Sequence, residues 1–263
     1  ATLVSVDGKK IPSGKDFDSR NGQLKNPNLL LLNETDAEKL SSRLQSATFK
    51  VAKLEVKPYS RKPYPPFTTS TLQQEANRKL GFTARRTMSA AQSLYQNGFI
   101  SYMRTDSTTL SNDAINATRS LVNTEYGEKF LPDGPRTYAS KVKNAQEAHE
   151  AIRPTDVKMV ADKLMGMESD AVRLYGLIWQ YFVACQMQPA RYLSSSITVA
   201  AAEFELRTRG RIMQFDGYLR VMPSKDEDVV LPAVEEGDSL DLELLEPFQN
   251  FTKPPARFTE ASL

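Results

Sequence analysis

The spacing of apolar residues changes twice along the chain, and the changes divide it into three. Over residues 1–60, short alternating runs flank one helical stretch. "TDAEKLSSRL" places Leu40 and Leu44 at helical spacing, and Thr35 with Glu38 three residues on reads as a capping box. "TFKVAKLEVKPYS" alternates Phe49 with Val51 and Leu54 with Val56, and the shift of phase between the pairs predicts a strand with a bulge. Pro63, Pro65 and Pro66 then mark a crossing into a second region.

Residues 67–189 follow the helical period. "STLQQEANRKLGF" opens on Ser70 with Gln73 as a capping box and stops at Gly81. After a very short turn, "TARRTMSAAQSLYQNGF" lines up Met88, Ala91 and Leu94 and stops at Gly98. Its successor, "ISYMRTDSTTLS", reads as an apolar strand leading into polar residues. Two helices, a tight turn and a strand are the order of a winged helix, a weak signal by itself. A further helix is expected from Asn112 to Tyr126, with Ser111 as N-cap and Gly127 as stop. A long one is expected over 169–188, with Ala171, Leu174, Ile178, Phe182 and Cys185 inward, Trp179 in the core or an interface, and Pro189 at the end. From Ser194 the period becomes two: Phe204 and Leu206, then Leu240, Leu242 and Leu244, with "RGR" at 209–211 and "EEGD" at 235–238 as turns. The order predicts an α+β fold: a β-rich domain formed by residues 1–62 and 190–263, with a mainly helical, winged-helix-like domain inserted at 63–189.

Composition adds bounds. With 263 residues, 40% hydrophobic and 25% charged, the chain is expected to pack as a globule. No apolar run reaches the roughly 18 residues that span a bilayer, so no membrane partner is expected. The single cysteine, Cys185, fits a reducing compartment and a cytoplasmic location. The start at Ala1 and the helix-like close "RFTEASL" suggest a fragment.

Charge narrows the function. Between Arg61 and Arg104 stand Arg61, Lys62, Arg78, Lys79, Arg85, Arg86 and Arg104 against the single acid Glu75, a bias that points to a polyanion. Within "GFISYMRTDSTTLS", alternation puts Tyr102, Arg104 and Asp106 on one face. A tyrosine hydroxyl is a candidate nucleophile, and an arginine two residues on can grip a phosphate, with Asp106 orienting it. Thr105, Ser107 and their neighbours Thr108 and Thr109 can donate to phosphate oxygens. Spacing alone equally fits a strand-end tyrosine beside a local Arg–Asp pair. In "NAQEAHEAIRPT", His149 is the only histidine, flanked by Glu147 and Glu150 with Arg153 four residues on. It suits a phosphate donor or proton relay, or a structural role. The acids at 226–228 and at 241 and 243 lack ligand spacing, and no metal site is read in this chain.

"GFISYMRTDST" closely resembles the active-site segment of the type IA DNA topoisomerases, and Met103 favours their bacterial branch. "PFTTSTLQQEA", "QEAHEAIRPT" and "KPPARFTEASL" are similar to the same family, so the resemblance runs through essentially the whole chain. It implies that Tyr102 attacks single-stranded DNA to form a 5′-phosphotyrosyl link. Arg104 would contact the scissile phosphate region, supported by Asp106, and His149 would position DNA or move a proton. Arg61, Arg78, Lys79, Arg85, Arg86, Thr105, Asp106, Ser107 and Arg153 are the expected DNA contacts. The β-rich domain would be the arch of a toroid. Mg2+ would be held by an acidic lobe of the complete enzyme that this sequence lacks, so the chain alone is expected to be inactive. Its partners would be single-stranded and supercoiled DNA and the remaining domains of its own polypeptide. The alternative is a non-catalytic winged-helix DNA-binding module.

Overall fold

The computed structural model describes residues 1–138, 150–224 and 226–261. The chain forms two compact units. One is made of Ala1–Tyr59, Tyr192–Gln214 and Glu227–Arg257; the other of Ser60–Arg191, Phe215–Asp226 and the chain from Phe258 on.

The first unit is built on a sheet of strands β1 (Thr2–Val6), β2 (Lys9–Lys10), β3 (Phe49–Arg61), β4 (Ala190–Ala201), β5 (Phe204–Phe215) and β6 (Ser239–Leu240), in the order β2-β1-β5-β4-β3-β6. β1 runs antiparallel to both β2 and β5, and β3 antiparallel to β6. One helix, α1 (Glu34–Gln45), covers the core through Leu40 and Leu44, which pack with Phe49, Val51, Val199, Phe204 and Leu206. The cap of α1 is Asn33, whose side chain accepts from the Asp36 amide, so the helix starts two positions before the expected Thr35 cap. In β3 the inward positions Phe49 and Val51 give way to half-buried Leu54, while Val56 is exposed.

Two sequence expectations fail in this unit. "RGR" makes no turn; it lies inside β5. The segment around Val229–Leu231 crosses directly over Gly210, and a Cβ there would meet the Val229 carbonyl oxygen at 2.4 Å. Glycine marks an approach rather than a bend. That crossing segment pairs with β5 through the Arg211 amide and Val229 oxygen, 2.9 Å. The strand expected through Leu244 is reduced to two residues; Leu242 still packs on the core, but Leu244 is exposed.

The second unit is helical. α2 (Thr69–Leu80) and α3 (Ala84–Gln96) are joined by three residues, followed by α4 (Asn112–Tyr126) and α5 (Ser169–Cys185). Ten of the seventeen residues of α5 are buried, so it is the central helix, and α2 and α3 lie against it. Trp179 on α5 donates its indole N–H to the Val157 oxygen at 2.7 Å. Cys185 is buried at its end, and burial pushes the thiol up to about 12. Ser111 caps α4 and Gly127 ends it, as the spacing predicts. The box on α2 is two residues earlier than expected: Thr68 and Thr71 form it, not Ser70 and Gln73. Residues 215–226 belong with these helices, anchored by Phe215 against Phe130 (5.0 Å between ring centres) and by buried Tyr218 and Leu219. Among the described residues no helix is long and apolar enough to cross a membrane.

Candidate active site

The segment after α3 is not a strand. Asn97 and Gly98 close the helix, with the Gly98 amide donating to the Tyr95 oxygen at 2.9 Å and Gly98 itself at φ 75. Beyond it the chain is extended but makes only an isolated bridge, Ile100 with Pro154. Its ladder partners are replaced by two clamps. On one side lies the segment 150–155. The Ser101 amide donates to the Arg153 oxygen (2.9 Å), the Ser101 hydroxyl to the Ala151 oxygen (2.8 Å), and the Arg153 amide to the Ser101 hydroxyl (2.9 Å). On the other side lies the first turn of α2. The Thr69 hydroxyl donates to the Met103 oxygen (2.8 Å) and accepts from the Thr105 amide (2.8 Å), while the Thr69 amide donates to the Thr105 oxygen (2.9 Å).

Extended backbone keeps its two-residue alternation even without a sheet. Met103, Thr105 and Ser107 point inward; Tyr102, Arg104 and Asp106 point out, with Tyr102 45% exposed. The three residues expected to share a face therefore do so. The ring of Tyr95, on the last turn of α3, stands edge-on to Tyr102 with centres 5.3 Å apart.

The inward placement changes two assignments. Thr105 is 7% and Ser107 2% exposed, and their hydroxyls accept from the Ser107 amide and the Thr109 amide, each at 3.1 Å. They brace the loop and are not presented to a ligand. Nor does Asp106 hold Arg104: among the described residues no ion pair joins them.

The other expected contacts are dispersed, and several cations are already neutralised. Arg61 pairs with Asp226 at 3.1 Å and Arg78 with Glu75 at 2.5 Å, while Arg86 grips both Asp170 oxygens at 2.5 and 2.6 Å. The Lys79 ammonium sits 5.1 Å from the centre of the Tyr181 ring; burial, then the neighbouring Arg78, lowers its pKa. Arg85 is exposed and lines a shallow cleft with Thr83, Ser89 and Ser93. Arg85 and Arg104 have no acidic partner among the described residues. His149 and Glu147 lie outside the described residues.

Arg153 is turned to structure. Its guanidinium donates twice to one Glu150 oxygen (2.7 and 3.1 Å) and once to the Pro154 oxygen (3.0 Å). The other Glu150 oxygen accepts from the Ser111 amide at 2.7 Å, at the start of α4. Burial of the Glu150 carboxyl opposes its ionisation, but the hydrogen bonds from Ser111 and Arg153 outweigh it and hold its pKa below the usual glutamate value. A depressed folded-state pKa stabilises the fold above the unfolded value, and that contribution is lost as pH falls through the folded one. Glu150→Gln is therefore expected to lower the urea midpoint at pH 7. The gap between the two proteins should narrow below the ordinary glutamate range, near pH 4 or lower. A gap unchanged by acid would remove the carboxylate from this latch.

A family model described as DNA topoisomerase matches residues 11–263. DNA topoisomerase 1 of Pseudomonas aeruginosa is 54% identical over 235 residues, covering 88% of this chain and 27% of that protein. The Escherichia coli enzyme of the same name is also 54% identical, with the same coverage of both chains. That of Mycobacterium tuberculosis is 45% identical over 100% of this chain and 30% of its own length. The solved full-length topoisomerase I from Thermotoga maritima superposes with a TM-score of 0.68 at 33% identity, over 82% of this chain and 36% of that one. The chain thus spans less than a third of the curated relatives it matches. It belongs to the bacterial type IA DNA topoisomerase family.

Proposed function

We propose that this chain is the tyrosine-bearing part of a topoisomerase that breaks and reseals one DNA strand. The supporting observation is an exposed Tyr102 on a backbone clamped on both sides, with Arg104, free of an acidic partner among the described residues, on the same face. In this reading the Tyr102 oxygen attacks the phosphorus of single-stranded DNA. The tyrosyl P–O bond forms, the bond from phosphorus to the 3′ oxygen breaks, and that oxygen takes up a proton as the phenol gives one up. The 5′-phosphotyrosyl ester conserves the bond, so the 3′ hydroxyl can reseal it after the other strand has passed, changing the linking number by one. Arg104 contacts the scissile phosphate region and offsets charge that develops there. His149 positions DNA or moves a proton. The similarity to topoisomerases over most of the chain supports this reading over a non-catalytic winged-helix module.

The β-rich unit is the arch in this account, and the α2–α3 pair the core of the winged-helix-like domain. Single-stranded and supercoiled DNA are the substrates, met in the bacterial cytoplasm at the nucleoid, and the remaining domains of the polypeptide are the chain's partners. Among the described residues no three His, Cys, Asp or Glu side chains gather as a metal site would require. Mg2+ would be held by acids elsewhere in the complete enzyme.

Trapping a covalent adduct between the complete enzyme and a labelled oligonucleotide tests the reading, with Tyr102 as the expected attachment point. Attachment at another residue would overturn it. Binding of single-stranded DNA to this chain should also weaken steeply with salt, because the outward cations Arg85 and Arg104 meet phosphates. Anisotropy titrations at two salt concentrations measure the slope, and a flat response would count against a phosphate-led contact.

A further inference from the structure

The clamps fix the backbone at Tyr102 but leave its side chain to be placed. Ser101 is held to Ala151 and Arg153, and Met103 is held by Thr69, so the Cα of Tyr102 has little freedom. The phenol beyond it is 45% exposed, and a nucleophile that can swing through several rotamers spends little time aligned for attack. Among the described residues one aromatic ring touches it, that of Tyr95, 5.3 Å between centres and inclined at 66°. Edge-to-face contact of this kind is directional. Tyr95 is itself well anchored. It stands on the last turn of α3, its carbonyl accepts from the Gly98 amide (2.9 Å), and the Asn97 side chain closes the same turn on the Ser93 oxygen (2.9 Å). Tyr95 is 41% exposed, more than core packing requires.

We propose that Tyr95 is a positioning residue that selects the rotamer of the Tyr102 phenol, an inference that rests on Tyr102 being the nucleophile. The ring, not the hydroxyl, does this. Tyr95→Ala in the complete enzyme should slow single-turnover oligonucleotide cleavage about two- to ten-fold, the rate equivalent of one aromatic pair, with oligonucleotide affinity unchanged. Tyr95→Phe should cleave at the parental rate. In the 263-residue chain with 13C-labelled tyrosine, the Tyr102 ring signals should carry a ring-current displacement that survives Tyr95→Phe and collapses in Tyr95→Ala. If Tyr95→Ala misfolds, Tyr95→Leu takes its place, since it keeps apolar bulk and loses the ring. Cleavage at the parental rate by the Ala variant overturns the proposal. So does equal slowing by Ala and Phe, which would assign the effect to the hydroxyl. Tyr102→Phe separates the two readings: if it is inactive while Tyr95→Ala is normal, only the role of Tyr95 fails. If Tyr102→Phe still cleaves, the nucleophile assignment itself fails.

Discussion

Tyr102→Phe abolishes strand cleavage in the complete enzyme, by at least about four orders of magnitude, while leaving the fold intact. The two halves of this expectation have separate physical grounds. Cleavage requires an oxygen to attack phosphorus, and no other hydroxyl on the outward face of the clamped segment replaces it: Thr105 and Ser107 are turned inward and occupied by backbone amides. Stability does not depend on that oxygen. The Tyr102 hydroxyl makes no hydrogen bond among the described residues, and its ring remains available to Tyr95 in the Phe variant. The change in unfolding free energy should stay within about 0.5 kcal/mol. Gel analysis of a labelled oligonucleotide after denaturant quench measures the first half, and urea melting the second. A Phe variant that still forms the covalent adduct would place the nucleophile elsewhere.

Gly217→Ala destabilises the helical unit by roughly 3 kcal/mol, which combines the cost of a left-handed backbone with that of overpacking. Gly217 has φ 50, and a Cβ added there would lie 2.5 Å from the carbonyl oxygens of both Gln188 and Pro189. Neither can withdraw easily. The Gln188 oxygen accepts from the Tyr218 amide at 2.9 Å, and Gln188 is tied to Phe130 through its own amide at 2.7 Å. The turn that Gly217 opens delivers buried Tyr218 and Leu219, so strain there loosens both side chains. The single tryptophan, Trp179, lies on α5 in this unit, and its fluorescence reports the relevant transition even if the two units melt separately. Gly134→Ala, in the same unit and where a Cβ meets nothing within 4 Å, is the control and should leave the midpoint close to the parental one. Equal midpoints for Gly217→Ala and the parent would show that the 188–189 backbone yields.

Much of this protein is legible from local rules. Helices α2, α3, α4 and α5 follow from the 3.6-residue spacing and from Gly81, Gly98, Gly127 and Ser111 at their ends, because these signals depend only on residues within one turn of each other. The outward face of Tyr102, Arg104 and Asp106 follows from alternation, which belongs to any extended backbone. The hairpin of β1 and β2 was equally available, since Asp7-Gly8 is a strong two-residue turn, with both residues at positive φ.

What lay beyond the sequence depends on partners far away along the chain. "ISYMRTDST" has the pattern of a strand, but a strand exists only if another strand lies beside it, and here a threonine and the segment 150–155 take that place. Gly210 reads as a turn until the chain near 229–231 is laid across it. Charge was the least legible property. Arg61, Arg78, Arg86 and Arg153 look alike in the sequence, yet each meets an acid: Arg78 and Arg153 one three residues away, Arg61 and Arg86 one by long-range contact. Tyr95 and Tyr102 stand seven residues apart, and nothing in that interval announces contact. The sharp turn at Gly98 folds the chain back and brings the two rings together. Local spacing therefore determined which residues face outward on each element, and the tertiary structure decided which of them have neighbours, because ion pairs, close approaches and ring contacts form between segments whose separation the sequence does not encode.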